Sequence, residues 1–345
     1  MIQYIPFLTN NYRLFNYILI DIIIYRKNIS INVTNSLIKS ANPDIIFLND
    51  TEMKGMISLK NILIIGAGPA GISASLYLAR SGKANVTVSY YAESVLTKAE
   101  KIENYFGFAE PVSGRELIDR GIAGAKRLGV KFVQEEIVGL GINPEMKFEA
   151  STPKGVQVYD YVIIATGTSR KTLPIKGLRE FEGKGVSYCA VCDGFFYRGK
   201  PVAVIGNGEY AVHEAEVLKN TSQQVTILTN GSKMSAPLPE GIAVINKKIS
   251  EISGEKTVGS VCFEDGTAEN FSGIFVAAGN AGSVDLARKV GAAVDGNRIT
   301  IDENMMTTVP GLYAAGDCTG GIMQISTAVG EGATAALAII RNLSK

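Results

Sequence analysis

The chain of 345 residues holds a single histidine, His213, no tryptophan and only four cysteines. Each scarcity excludes a class of protein. One histidine, with Cys262 and Cys318 standing alone, cannot complete a zinc site beside the Cys189/Cys192 pair, so no metal is expected. Four cysteines are too few for the disulfide scaffold of a secreted protein. They suit a reducing, cytoplasmic setting in which one close pair works chemically. Charge of one sign never accumulates, and the formal net charge is +1. No nucleic-acid or membrane-surface footprint follows. Long apolar runs are missing too. The stretch from Leu14 to Tyr25 is interrupted by Asp21 and is too short to span a bilayer. It also lacks the basic start and small-residue cleavage site of a signal peptide. Residues 1–54 contain no glycine and one alanine, Ala41. Residues 1–55 therefore read either as a native extension or as non-native sequence from an upstream start, with Met53 or Met56 as the true start. The second reading is adopted here. Organised signal begins at Leu59.

What is present is glycine, 37 residues of it, within a chain that is 46% apolar. That combination suits an α/β protein with several tight strand-to-helix turns. Ile62 to Ile65 reads as a strand. Gly66, Gly68 and Gly71 then form G-x-G-x-x-G, with Pro69 and Ala70 opening a helix and Val86 to Ser89 the next strand. In this context the glycines allow a tight turn and close backbone approach, and the helix N-terminus can hold a pyrophosphate. The acid expected to read a ribose is less distinct: Ser89, Tyr90 and Tyr91 occupy its place, and Glu93 is nearest. The pattern returns at Val202 to Ile205, followed by Gly206, Gly208 and Ala211, a helix lined by Ala211, Ala215 and Leu218, and a strand from Val225 to Leu228. The expectation is an α/β fold with two Rossmann-like nucleotide-binding domains, the second inserted into the first. A third segment, 311–317, is a strand ending at Gly316 and Asp317 ahead of a helix from about Ile325. An Asp there can bind a ribityl hydroxyl, and the positive end of the helix dipole can face a flavin ring. Between the two glycine units lies Cys189-x-x-Cys192, a candidate redox disulfide. Asp193 follows it, either as a proton donor to a leaving thiolate or as a helix cap.

Gly66 to Gly71, KIENYFGF (101–108), ATG (165–167), CAVCDG (189–194) and GLYAAGDC with Gln324 (311–324) together resemble the low-molecular-weight thioredoxin reductase family, from Leu59 onward. The resemblance implies FAD as cofactor, thioredoxin as partner and a homodimer. It implies an FAD domain made of 56–172 and 277–345, interrupted by 173–276, which carries the cysteine pair and an NADPH-like site. Carried over, Gly66, Gly68, Pro69, Ala70, Gly71, Asn104, Thr166, Gly167, Gly316, Asp317, Gln324 and Ile325 would hold FAD. Cys189, Cys192 and Asp193 would be catalytic, with the pair at the start of a helix whose dipole lowers a thiolate pKa. One departure stands out. NADPH-using members grip the 2′-phosphate with a His-Arg-Arg cluster, yet residues 225–237 offer only Lys233. A lone lysine replaces a planar arginine fork poorly. Thr229 and Asn230 supply no acid for an NAD ribose, and Tyr210 stands inside the second turn where its ring could crowd a pyrophosphate. The pattern is nearest to the ferredoxin-dependent flavin thioredoxin reductases, which implies reduced ferredoxin as donor. An NADPH-dependent thioredoxin reductase and a flavin dithiol oxidase acting on a small dithiol remain alternatives.

Overall fold

In the computed structural model, residues 59–168 and 173–344 are described. The expectations about residues 1–55 lie outside them. In chain order the elements begin β1 (Lys60–Ile65), α1 (Pro69–Arg80), β2 (Ala84–Tyr90), α2 (Gly114–Arg127) and β3 (Lys131–Gln134). Then come β4 (Gly139–Ile142), β5 (Phe148–Thr152), β6 (Gly155–Tyr159) and β7 (Tyr161–Ile164). Next are β8 (Val186–Ser187), α3 (Ala190–Asp193), β9 (Pro201–Ile205), α4 (Glu209–Lys219) and β10 (Gln224–Leu228). A run of strands follows: β11 (Ala243–Ile245), β12 (Ile249–Ser253), β13 (Ser260–Phe263), β14 (Ala268–Asn270) and β15 (Gly273–Val276). The chain closes with α5 (Ser283–Lys289), β16 (Val294–Asp295), β17 (Arg298–Ile299), β18 (Leu312–Ala314) and α6 (Ile325–Asn342).

Two five-stranded parallel sheets organise these elements, with strand orders β18-β7-β1-β2-β3 and β11-β10-β9-β15-β8. Their inner strands read ILII, YVII, VAVI and GIFV because helices and crossovers cover both faces of a parallel sheet, so residues are not free to alternate polar and apolar. Ile62 to Ile64 and Val202 to Val204 are fully buried. The antiparallel sheet β4-β5-β6 lies beside them. One apolar cluster runs from Leu63 and Ile164 through Leu140 and Phe148 to Val204, Ala211 and Leu218, joining both parallel sheets in one core.

The glycine turns are explained by close approach. A Cβ on Gly71 would lie 2.0 Å from the Gly66 carbonyl oxygen, so the third glycine lets α1 sit directly against β1. Gly66 has φ +115°, open to glycine and strained for other residues. Pro69 starts α1 without a side-chain cap, as a proline at the first helical position can. The helix then packs on α6, where Gly332 lets the Ala70 backbone approach and Ser73 Oγ donates to Val329 O at 2.8 Å. Among the described residues, no helix is long and apolar enough to cross a membrane.

Candidate active site

A cleft of about 580 Å³ opens at the carboxyl ends of β1, β2, β7 and β18, where open α/β sheets take ligands. It brings together ten of the residues singled out from sequence: Gly66, Gly68, Pro69, Ala70, Thr166, Gly167, Gly316, Asp317, Gln324 and Ile325. Two others stand behind this wall. Gly71 supports the turn from beneath, and Asn104 reaches the cleft through its amide, which donates to Gln324 Oε1 at 3.2 Å.

The lining suits a dinucleotide flavin. The start of α1 faces the cleft with no acid in its first turn, leaving its dipole free for phosphate. A Cβ at Gly68 would point into open space, meeting only Ser94 Oγ at 3.7 Å. Thr166 Oγ1 is buried in the wall with no protein partner, a group that a bound ligand can satisfy. Gly316, at φ +85°, turns the chain so that Asp317 opens a short 3₁₀ turn at the cleft. Glu331 on α6 holds that turn, accepting from Gly316 N at 2.7 Å and Thr319 Oγ1 at 3.0 Å. At the rim Glu93 takes both forks of Arg115, at 3.0 and 2.6 Å. The guanidinium holds the Glu93 carboxyl below its usual range. Burial pushes the Glu136 carboxyl up, partly offset by bonds from Asn280 and Ala281.

The cysteine pair is not part of this wall. Cys189 and Cys192 form a disulfide at the start of α3. Cys189 is 3% exposed and serves as the N-cap, its sulfur accepting Cys192 N–H at 3.2 Å. Cys192 is exposed, 3.7 Å from the carbonyl oxygen of Arg288 at the end of α5. The other end of α5 meets the cleft: Ala281 N–H donates to Glu136 and Ser283 Oγ to Gly167 O, both at 3.2 Å. Seven residues of helix, about 10 Å, thus stand between cleft and disulfide. Asp193 accepts from Ser187 Oγ at 2.6 Å, and the same serine oxygen accepts Cys189 N–H at 3.1 Å. Ser187 gave no signal in sequence, because its role exists only once α3 folds back on β8.

The second glycine turn is built like the first, and the following loop bonds back to it. Ser235 donates twice to Asn207 O, from N at 2.7 Å and from Oγ at 3.0 Å, and Asn207 Nδ2 donates to Lys233 O. The positions that would read a ribose are also engaged internally: Thr229 Oγ1 bonds Asn246 Oδ1 and Asn230 Oδ1 accepts Ile249 N–H. Tyr210 departs from the sequence expectation. Its ring does not crowd the turn's mouth; it is 1% exposed, turned into the core under Lys289.

His213 follows on α4 and presses against β4, where a Cβ on Gly139 would lie 2.5 Å from its Nε2. Burial, with Lys289 adding to it, pushes the imidazole down to about 4 from 6.5. A depressed histidine pKa favours the neutral form in the fold. Its stabilisation is therefore complete above pH 6.5 and is lost as pH falls toward 4, amounting to ~3 kcal/mol at the acid end. In thermal melts between pH 7 and 4.5, His213→Gln is expected to lose less stability than the parent. Parallel losses would place the acid lability elsewhere.

A family model described as pyridine nucleotide-disulphide oxidoreductase matches residues 60–332. The thioredoxin reductase of Aquifex aeolicus (strain VF5) is 35% identical over 308 residues, covering 82% of this chain and 93% of that protein. Among solved structures, the chain is similar to an atypical thioredoxin reductase from Desulfovibrio vulgaris Hildenborough, with TM-score 0.79, 41% identity, and 83% and 98% of the two chains covered. It is also similar to a ferredoxin-flavin thioredoxin reductase from Clostridium acetobutylicum, with TM-score 0.61, 31% identity, and 83% and 98% covered.

Proposed function

The chain belongs to the pyridine nucleotide-disulphide oxidoreductase family, within its thioredoxin reductases, and on that premise we propose that it reduces thioredoxin with reduced ferredoxin, not NADPH, as donor. It is an FAD-dependent oxidoreductase. In this reading the α1 turn holds the pyrophosphate, Asp317 the ribityl chain, and Thr166, Gln324 and Ile325 the ring end. When bound, FAD supplies the electron store between donor and disulfide. The chain's own residues do the exchange. Once reduced, Cys192, exposed, is the sulfur a protein disulfide can reach. Its thiolate attacks one thioredoxin sulfur and displaces the other, forming a mixed disulfide. Cys189 then attacks Cys192, re-forming their bond and releasing thioredoxin as dithiol. The N-terminus of α3 favours the Cys189 thiolate. Asp193, held by Ser187 one residue beyond Cys192, takes and returns the proton. A homodimer and the domain limits 56–172 with 277–345, and 173–276, belong to the same reading.

The observation that carries the choice of donor is the lack of a grip for the nucleotide's ribose end: 225–237 holds no arginine, and Thr229 and Asn230 are engaged internally. A hydride donor must be gripped through its whole dinucleotide. Here the arginine forks are absent from 225–237, which offers Lys233 alone. Losing two or three charge-assisted bonds of roughly 1.5–3 kcal/mol each weakens NADPH binding by orders of magnitude. A one-electron protein donor needs no such grip, and the similarity to the Clostridium ferredoxin-flavin enzyme supports the same assignment. Stopped-flow reduction of the flavin tests it. Photoreduced ferredoxin is expected to act rapidly, and millimolar NADPH or NADH slowly or not at all. Efficient NADPH-dependent turnover with a micromolar KM would return the protein to the NADPH-using class.

A further inference from the structure

Behind the disulfide lies a buried ion pair that the exchange chemistry does not use. Glu214 on α4 and Lys289, the last residue of α5, meet through Oε1 and Nζ, each side chain 1% exposed. The second carboxylate oxygen of Glu214 accepts the N–H of Ala190 at 2.8 Å. Ala190 is the first residue of α3 and is bonded directly to Cys189. Lys289 follows Arg288, whose carbonyl lies against Cys192 Sγ, and its ammonium stands 5.7 Å from the Tyr210 ring centroid. Through Glu214 both charges of the pair are thus tied to the first N–H of the CxxC turn.

Taking Cys189–Cys192 as the working pair, we propose that Glu214 is a positioning residue for the dithiol, and that the Glu214–Lys289 pair sets the stability of the Cys189 thiolate by balancing its charges. Glu214 supplies the acceptor that anchors the first N–H of α3. Alone, its negative charge one peptide away would oppose a thiolate at Cys189, and Lys289 cancels that opposition. A buried carboxylate without its partner is strongly unfavourable, so the pair also fixes α3 against α5. Charged and titratable groups on the elements packed together here include Asp193 on α3, His213 and Glu214 on α4, and Arg288 and Lys289 on α5. His213 is half-buried against β4, and that burial favours its neutral form. Asp193 is tied to Ser187 and Arg288 meets Cys192 through its backbone carbonyl. The Glu214–Lys289 pair remains as the balance that substitution can tip either way.

The sign of the effect separates this from simple structural support. In Glu214→Gln the amide still accepts the Ala190 N–H, but Lys289 is uncompensated and favours the thiolate. In Lys289→Met, Glu214 is uncompensated and opposes it. The test uses FAD-loaded, reduced holoenzyme and the pH profile of iodoacetamide alkylation, resolved by cysteine peptide. Relative to the parent, the midpoint for the pair should fall by about one pH unit in Glu214→Gln and rise by about one in Lys289→Met, a tenfold change in thiolate fraction each way. The double variant and Lys289→Arg should both return close to the parent. Shifts of the same sign, no shift in either single variant, or a shifted Lys289→Arg would overturn the proposal. Lys289→Arg and Glu214→Gln decide it even where Lys289→Met fails to retain flavin. Should Cys189 and Cys192 alkylate equally without prior reduction, the working-pair reading fails instead, and the charge-balance proposal falls with it.

Discussion

Cys192→Ser should reduce thioredoxin turnover by roughly three orders of magnitude or more while leaving the bound flavin unchanged. The exposed Cys192 sulfur is the one a folded protein substrate can reach, whereas Cys189 lies 3% exposed behind it. Without Cys192 no mixed disulfide forms. Cys189→Ser should lose turnover equally but fail differently. Cys192 can still attack, and nothing remains to resolve the adduct, so a covalent complex with thioredoxin should accumulate on non-reducing gels. Flavin stays because neither cysteine lines the cleft. Normal turnover in either variant would move the chemistry to another group. Complex formation by Cys192→Ser in place of Cys189→Ser would reverse the two roles.

Gly68→Val should yield a folded, colourless protein, with FAD affinity lowered by at least two orders of magnitude, about 3 kcal/mol or more. Gly68 is the substitution that isolates cofactor binding from folding. Its backbone, at φ −84° and ψ −177°, is ordinary extended chain that valine adopts without strain. An added Cβ finds only Ser94 Oγ at 3.7 Å, so the isopropyl group projects into the space in front of α1. The other two glycines of the motif lack this property. A Cβ on Gly66 would lie 2.3 Å from the Ala165 carbonyl oxygen, and one on Gly71 still closer to that of Gly66. Replacing those should cost folding first. Circular dichroism with flavin fluorescence separates the cases. A yellow Gly68→Val protein with parent affinity would show that the pyrophosphate lies elsewhere.

The parts legible in sequence were those written in neighbouring residues. β1 and β9 are apolar runs because both faces are covered, and each glycine turn sits within six residues of its strand. The start of α6 at Ile325 and the location of the cysteine pair followed in the same way. Pairings across long separations were hidden. Glu214 and Lys289 are 75 residues apart, and Asn104 meets Gln324 across 220. Glu214 did leave a trace, an acid set among Ala211, Ala215 and Leu218 on the buried side of α4. The absence of arginines from 225–237 was visible, but not that Ser235 had folded onto Asn207 in their stead. Tyr210 was misread because residue type alone does not fix which way a ring leaves the first turn of a helix.

Cys318 follows the Gly316–Asp317 turn directly, fully buried, its thiol donating to Ile164 O and Ala315 O at 3.4 Å. Burial pushes it up to about 12. At neutral pH it therefore stays a thiol, and peroxides and electrophiles attack the thiolate. The sulfur beneath the cofactor platform is therefore chemically silent, while Cys192 stands at the surface. Oxidative injury should fall first on the part of the enzyme that a dithiol can repair, and a peroxide-treated sample should keep its flavin and recover its activity once reductant is restored.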